Sequence, residues 1–176
     1  MSLSIEQISN TLKEKFGPAI ISQDTEYDFT VFTIDKHSIV PIFRFLYDDE
    51  QFQFRYLTTA CAIQFPGREL PFAMMYQLHS LTHNSRIRFK AYSSANDLQY
   101  DTITGIFPSA NWMEREAWDF FGIRFKGHPN LKRILNVEDM DYHPMRKEYP
   151  LEDLTRYDKD DSMFGRQKSP FTKKLN

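Results

Sequence analysis

The sequence predicts an α+β fold in two layers, with helices packed on one face of a mixed or antiparallel sheet. Three observations carry that expectation. The apolar spacing changes along the chain in the order helix, strand, strand, helix, strand, strand, strand, which mixes the two element types within one unit. Aromatic residues make up 15% of the chain, sixteen of them Phe, a composition suited to pleated, half-buried surfaces. A length of 176 residues with 41% hydrophobic content is enough for one domain with a core.

Each element has its own signal. In "SIEQISNTLKEKFG", Ile5, Ile8, Leu12 and Phe16 share one helical face, Ser4 and Gln7 have capping-box spacing, and Gly17 can end the helix. "AIIS" and "YDFTVFTID" read as two strands joined through the polar stretch from Gln23 to Glu26. "SIVPIFRFLYDD" is a second helix with Ile39, Ile42, Phe43 and Leu46 on one side; Pro41 is compatible because it falls in the first turn. Three further strands are expected within "QFQFRYLTTACAIQF", "FAMMYQLHSL" and "RIRFKAY". "NDLQYDTITGIFPSA" then leads as a connection into a third helix. The α+β domain is expected over 1–151, with an extended or disordered tail over 152–176, where no period of 2 or 3.6 is sustained.

Composition excludes several functions. A net charge of −2 gives no broad attraction to nucleic acid or anionic lipid. "MSLSIEQISN" lacks the basic and apolar regions of a secretory signal, and no apolar run approaches the roughly 20 residues of a membrane helix. The single cysteine, Cys61, rules out a four-thiolate metal or iron–sulfur site within the chain and reads as a buried core thiol. His79 and His83 are spaced i, i+4 in "HSLTH", but without a metalloprotease glutamate or accompanying thiols they do not read as a zinc site.

The densest signal is "EREAWDFFGIRFKGHPNLKRIL", residues 114–135. On a helix, Met113, Ala117, Phe120 and Phe121 occupy one sector and face the core, while Trp112, Arg115, Glu116 and Asp119 occupy another. Arg115 with Asp119, and Trp112 with Glu116, are spaced to touch; Ser109 can cap the helix and Gly122 can end it. A tryptophan among charges is more typical of an interface than of open surface. Glu114 and Glu116 point about 160° apart, which argues against a shared acid/base site. Gly122 and Gly127 have phosphate-loop spacing, but His128-Pro129 follows where Lys-Ser/Thr is needed, and Pro129 removes a donor. No Gly-x-Gly exists for a dinucleotide loop. His128-Pro129 and His143-Pro144 each precede a basic pair, Lys132-Arg133 and Arg146-Lys147. The prolines stiffen these turns, so the pairs are expected to meet a partner's carboxylates. The residues describe a binding module without its own chemistry.

This stretch, with "SANWM" before it and "HPMRKEYPLE" after it, resembles a peripheral-arm component of respiratory NADH:quinone oxidoreductase (complex I), known as the 30-kDa or C-type subunit. The resemblance is dense over 103–151 and rests on Glu114-Arg115-Glu116, Asp119, Gly122, His128-Pro129 and Arg133-Ile134-Leu135. Tyr142, Met145 and Glu148 depart from the residues common in that family. The resemblance implies a subunit without cofactors in a proton-translocating complex, with FMN, iron–sulfur clusters, NADH and quinone on other subunits. It also implies that the chain braces a quinone-site (D or 49-kDa-type) subunit and a terminal iron–sulfur (B-type) subunit. Trp112, Glu114, Arg115, Glu116, Asp119, Gly122, His128, Pro129, Arg133, His143, Pro144, Arg146 and Lys147 are then the expected interface and motif residues. Membrane contact would be indirect, on the cytoplasmic side of a bacterial inner membrane. Related membrane-bound hydrogenases and ferredoxin-linked complexes share the charged helix and are the alternative setting.

Overall fold

Helix α1 (Ile5–Phe16) begins with the capping box that Ser4 and Gln7 suggest and ends at Gly17, whose φ of 39° suits a residue without a Cβ. The structure, a computed structural model, describes residues 4–149. A hairpin follows, β1 (Ile20–Glu26) and β2 (Phe29–Ile34), turning at Tyr27-Asp28. The stretch from Gln23 to Glu26 is therefore strand, not the predicted joint. Its interior residues are exposed on both faces, so the edge strand carries no apolar alternation to read. Ser9 on α1 hydrogen-bonds Gln23 and fastens the strand to the helix.

Helix α2 (Ile39–Asp48) buries Ile39, Ile42, Phe43 and Leu46, as the spacing predicts. Strand β3 (Tyr56–Gln64) starts later than its apolar run suggests. Phe52 and Phe54 are core residues; the Gln53 N–H closes a turn on Asp49 O at 3.0 Å, and the Phe54 N–H reaches back to Leu46 O on α2 at 2.9 Å. Strands β4 (Phe72–Ser80) and β5 (Ser85–Ser93) complete a five-stranded sheet ordered β1-β2-β5-β4-β3. Only β2 and β5 pair in parallel, so the sheet is mixed. The chain passes through α2 on its way from β2 to the opposite edge, as a parallel arrangement requires.

The core lies on the face that carries Phe32, Tyr76 and Phe89. The Phe43 ring of α2 meets Tyr76 and Phe89, each at 5.1 Å between centroids. The other face carries polar pairs, including Lys90 Nζ to Glu26 at 2.6 Å and Arg88 to Gln77 at 3.1 Å. Lys36 is nearly buried and ties the turn before α2 to the Asp97 carboxylate and to Asp97 O. The tyrosine hydroxyl of Tyr100 donates toward Ala91 O at 2.9 Å and lies 3.0 Å from Ser93 Oγ.

Two short parallel strands, β6 (Gln99–Asp101) and β7 (Arg124–Lys126), bracket helix α3 (Ala110–Phe121). Three residues are too few to show a period, which is why the sequence reads this region only as a connection. The chain divides into two compact units, Met1–Arg146 and Lys147–Asn176. The expected tail over 152–176 lies outside the described residues. Among the described residues no helix is long and apolar enough to cross a membrane.

Candidate functional site

Helix α3 packs along β3 with Ala110, Ala117 and Phe121 buried. Glu114 is fully buried on the same helix. One carboxylate oxygen accepts the Ile103 N–H at 2.8 Å and the other the Thr102 hydroxyl at 2.5 Å, so the side chain pins the β6 end to α3. Burial outweighs these hydrogen bonds and pushes its pKa up to about 7. His128 Nε2 lies 3.9 Å from that carboxylate, with both side chains buried. The ring donates from Nε2 to Asn111 O at 3.2 Å and accepts the Asn130 N–H on Nδ1 at 3.1 Å. Burial holds the imidazole below its usual range, and this hydrogen-bond pattern is that of the neutral tautomer.

Asp119, also fully buried, organises the segment after His128. Its Oδ2 accepts three successive backbone N–H groups, from Ile134 (3.0 Å), Leu135 (2.8 Å) and Asn136 (3.0 Å). Its Oδ1 accepts Arg133 Nη1 at 2.7 Å and the Asn136 amide at 3.0 Å. Burial alone would raise the carboxyl, but the Asn136 and Leu135 N–H groups with the Arg133 and Asn136 side chains overcome it. They hold the group well below the usual carboxylate range. Arg133 continues outward, its Nη2 donating to Met140 O at 2.6 Å and Tyr142 O at 2.9 Å. A stretch with no helix or strand is thereby fixed by one carboxylate and one guanidinium.

The end of α3 is closed in the same way. The last four carbonyls of a helix have no partner inside it. Here Trp118 O accepts the Gly122 N–H (2.9 Å), and Asp119 O accepts Arg133 Nη1 (3.0 Å) and His143 Nδ1 (3.0 Å). Phe120 O accepts the Met145 N–H (3.2 Å), and Phe121 O accepts Arg146 Nε (2.8 Å). Two arginines at the negative end of the helix dipole add a favourable charge term. Gly122 has a φ of 76°, and a Cβ there would lie 2.6 Å from both the Arg146 guanidinium and the His143 ring. Glycine is required by conformation and by space at once.

The expected interface residues thus divide. Asp119, Gly122, His128, Arg133, His143 and Arg146 fold the loop onto α3, while Glu114 fastens the segment before that helix, with Glu114, Asp119 and Gly122 buried. The expected Arg115–Asp119 contact is not made. Arg115 instead donates to Lys132 O (3.1 Å) and Arg133 O (2.9 Å) and stacks on Trp112. The reason is that the helix is covered on two sides, by the sheet and by its own downstream loop, so a polar sector does not mark a solvent face. Nor do both basic pairs point outward: Arg133 is spent on the Asp119 carboxylate and on carbonyls of this chain, Arg146 donates to Phe121 O, and Lys132 and Lys147 are exposed. Trp112, Glu116 and Pro129 are exposed and Pro144 is half-buried. Ser109 stands at the cap position of α3 but its side chain makes no capping bond. Cys61 is half-buried beside α3, not in the core, because β3 is an edge strand.

Sequence reasoning missed what the loop presents. Among the described residues, four of the eleven exposed large hydrophobics lie on it, Leu135, Val137, Tyr142 and Met145, beside the exposed Trp112 of α3 that the sequence does single out. Leu135 is 71% exposed and Val137 63%, although the Leu135 backbone is held by Asp119. Among the described residues no group of three or more His, Cys, Asp or Glu side chains is placed to hold a metal ion.

Residues 32–155 match the family described as respiratory-chain NADH dehydrogenase, 30 Kd subunit. The chain is 43% identical over 143 residues to the C-type subunit of NADH-quinone oxidoreductase from Citrifermentans bemidjiense, covering 80% of this chain and 86% of that protein. It is 37% identical over 160 residues to the corresponding NADH-quinone oxidoreductase subunit from a Methylobacterium species, covering 90% and 74%. Among solved structures, the trypsin-resistant fragment (1-134) of Nqo5 superposes with a TM-score of 0.61 at 25% identity, over 71% of this chain and 99% of the fragment.

Proposed function

The chain belongs to the 30-kDa (C-type) subunit family of NADH-quinone oxidoreductase, and from that premise we propose that it is a non-catalytic docking subunit of such a complex. Its role is to brace the quinone-site subunit and the terminal iron–sulfur subunit while electrons pass from NADH to quinone. FMN, the clusters and the quinone site belong to other chains. The complex sits at the cytoplasmic face of a bacterial inner membrane, and this chain reaches the membrane only through its neighbours.

One observation carries this reading: exposed apolar side chains stand on an irregular loop that buried polar groups hold fixed. A mobile loop would lose backbone conformational entropy on docking, about 1–2 kcal/mol for each residue ordered. Here the Asp119 and Arg133 bonds have already ordered the backbone that carries Leu135 and Val137, and α3 itself carries Trp112, so these side chains are presented with little further backbone cost. Buried aromatic and aliphatic anchors dominate interface energy once desolvated.

The test is a pull-down with the full chain as bait, read by mass spectrometry. Recovery of the quinone-site and terminal iron–sulfur subunits supports the proposal. Recovery of neither, from cells that contain the complex, contradicts it.

A further inference from the structure

Between α3 and β3 lies a second feature that the loop does not occupy. Ala60, Cys61 and Ala62 of β3 face Met113, Ala117 and Phe120 of α3 across a cavity of about 150 Å³. Three successive strand residues border it, which places the cavity at the strand's edge, since alternate side chains point to opposite faces. The three alanines leave the space, and the flexible thioethers of Met113 and of Met145 at the mouth can adjust to what enters. Glu116 stands at the exposed rim and, among the described residues, makes no ion pair. Its charge also raises the Cys61 thiol, after the larger effect of burial.

We infer that this cavity seats one apolar side chain from a neighbouring subunit, with a lysine or arginine on the same segment pairing with Glu116. The inference rests on the docking role proposed above and identifies one of its contacts. Size supports the occupant, because apolar cavities of roughly 150 Å³ hold a benzene-sized guest. Chemistry supports it as well. The lining side chains are alanine methyls, methionine thioethers and phenylalanine rings, with the Cys61 thiol and the Glu116 carboxylate as the polar exceptions. Charge supplies the second half of the recognition element: a single unpaired carboxylate at the rim of an apolar seat complements a cation next to an apolar anchor. Trp112 lies one turn from Glu116 on α3, so the seat continues the exposed face described above.

Cys61 is the chain's single thiol and lines the seat, so it reports occupancy directly. The experiment follows alkylation of the Cys61 peptide by N-ethylmaleimide, by mass spectrometry, in the full isolated chain and in the purified complex at the same pH. We expect labelling at least about tenfold slower in the complex, because access to the thiol is lost. In a complex carrying Glu116→Lys, labelling should return toward the isolated rate, while the isolated variant melts at the wild-type temperature. A second variant, Met145→Glu, places a charge at the mouth and should have the same effect. Equal labelling rates in complex and isolated chain, with the subunit present, would overturn the seat and leave the docking role standing. Absence of the chain from the complex would overturn both. Protection already present in the isolated chain and lost on denaturation would show that the chain fills its own cavity, which also overturns the proposal.

Discussion

Asp119→Ala removes the centre of the loop's hydrogen-bond network. The wild-type carboxylate is fully buried and accepts three backbone N–H groups, one guanidinium N–H and one side-chain amide. Removing one partner of a buried charged pair costs about 3–5 kcal/mol, much of it from the Arg133 charge left behind. That loss falls on the loop, since the α1, α2 and sheet core contains no partner of Asp119. Amide hydrogen exchange read residue by residue is the matching assay. The Ile134, Leu135 and Asn136 amides should exchange roughly 140- to 4,000-fold faster in the variant, with β4 and β5 amides far less affected. The carboxyl's folded pKa is depressed, so its contribution is full above the unfolded value of about 3.9 and is lost as pH falls through the folded value. Wild-type protection of these three amides should therefore be constant from about pH 5 to pH 8. Equal protection in variant and wild type would refute the idea that Asp119 holds the loop.

Three further outcomes are expected. Glu114 has a folded pKa raised to about 7, so its protonated form is favoured by folding and stability falls as pH rises from the unfolded value through the folded one. Glu114→Gln should abolish that component, worth roughly 3 kcal/mol between pH 4.5 and pH 7, in urea melts of variant against wild type; parallel pH profiles would contradict it. Gly122→Ala should destabilise by at least about 1–2 kcal/mol from the left-handed backbone alone, and should displace His143 and Arg146. A melting temperature equal to wild type would exclude the strain. Tyr100→Phe removes the hydroxyl between Ala91 O and Ser93 and should cost about 1–2 kcal/mol by chemical denaturation; an unchanged midpoint would show that the buried bond contributes nothing.

Wherever one face of an element meets one neighbour, its spacing was legible in the sequence. Helix α2 buries Ile39, Ile42, Phe43 and Leu46 as predicted, and the capping box at Ser4 forms. The rule weakens at edges: β1 is exposed on both sides, and Cys61 looks like core until β3 proves to be an edge strand. At α3 the type of each motif residue was readable but its direction was not. Asp119 falls in the polar sector and is nevertheless buried, because the loop after His128 folds back over it. Local periodicity cannot anticipate a cover supplied by residues fifteen positions downstream. The exposed Leu135 and Val137 were missed for the complementary reason: apolar residues in an irregular segment give no period from which to judge exposure.

The role of α3 and its loop as a docking face is tested most directly by Trp112→Glu combined with Leu135→Glu, both exposed side chains; Leu135 takes part in the hydrogen-bond network only through its backbone N–H, which the substitution keeps. The measurement is the amount of this chain retained in the NADH-quinone oxidoreductase complex purified from cells, alongside the melting temperature of the isolated variant. Loss of the chain from the complex with an unchanged melting temperature is the expected result. Full retention in an active complex would contradict it.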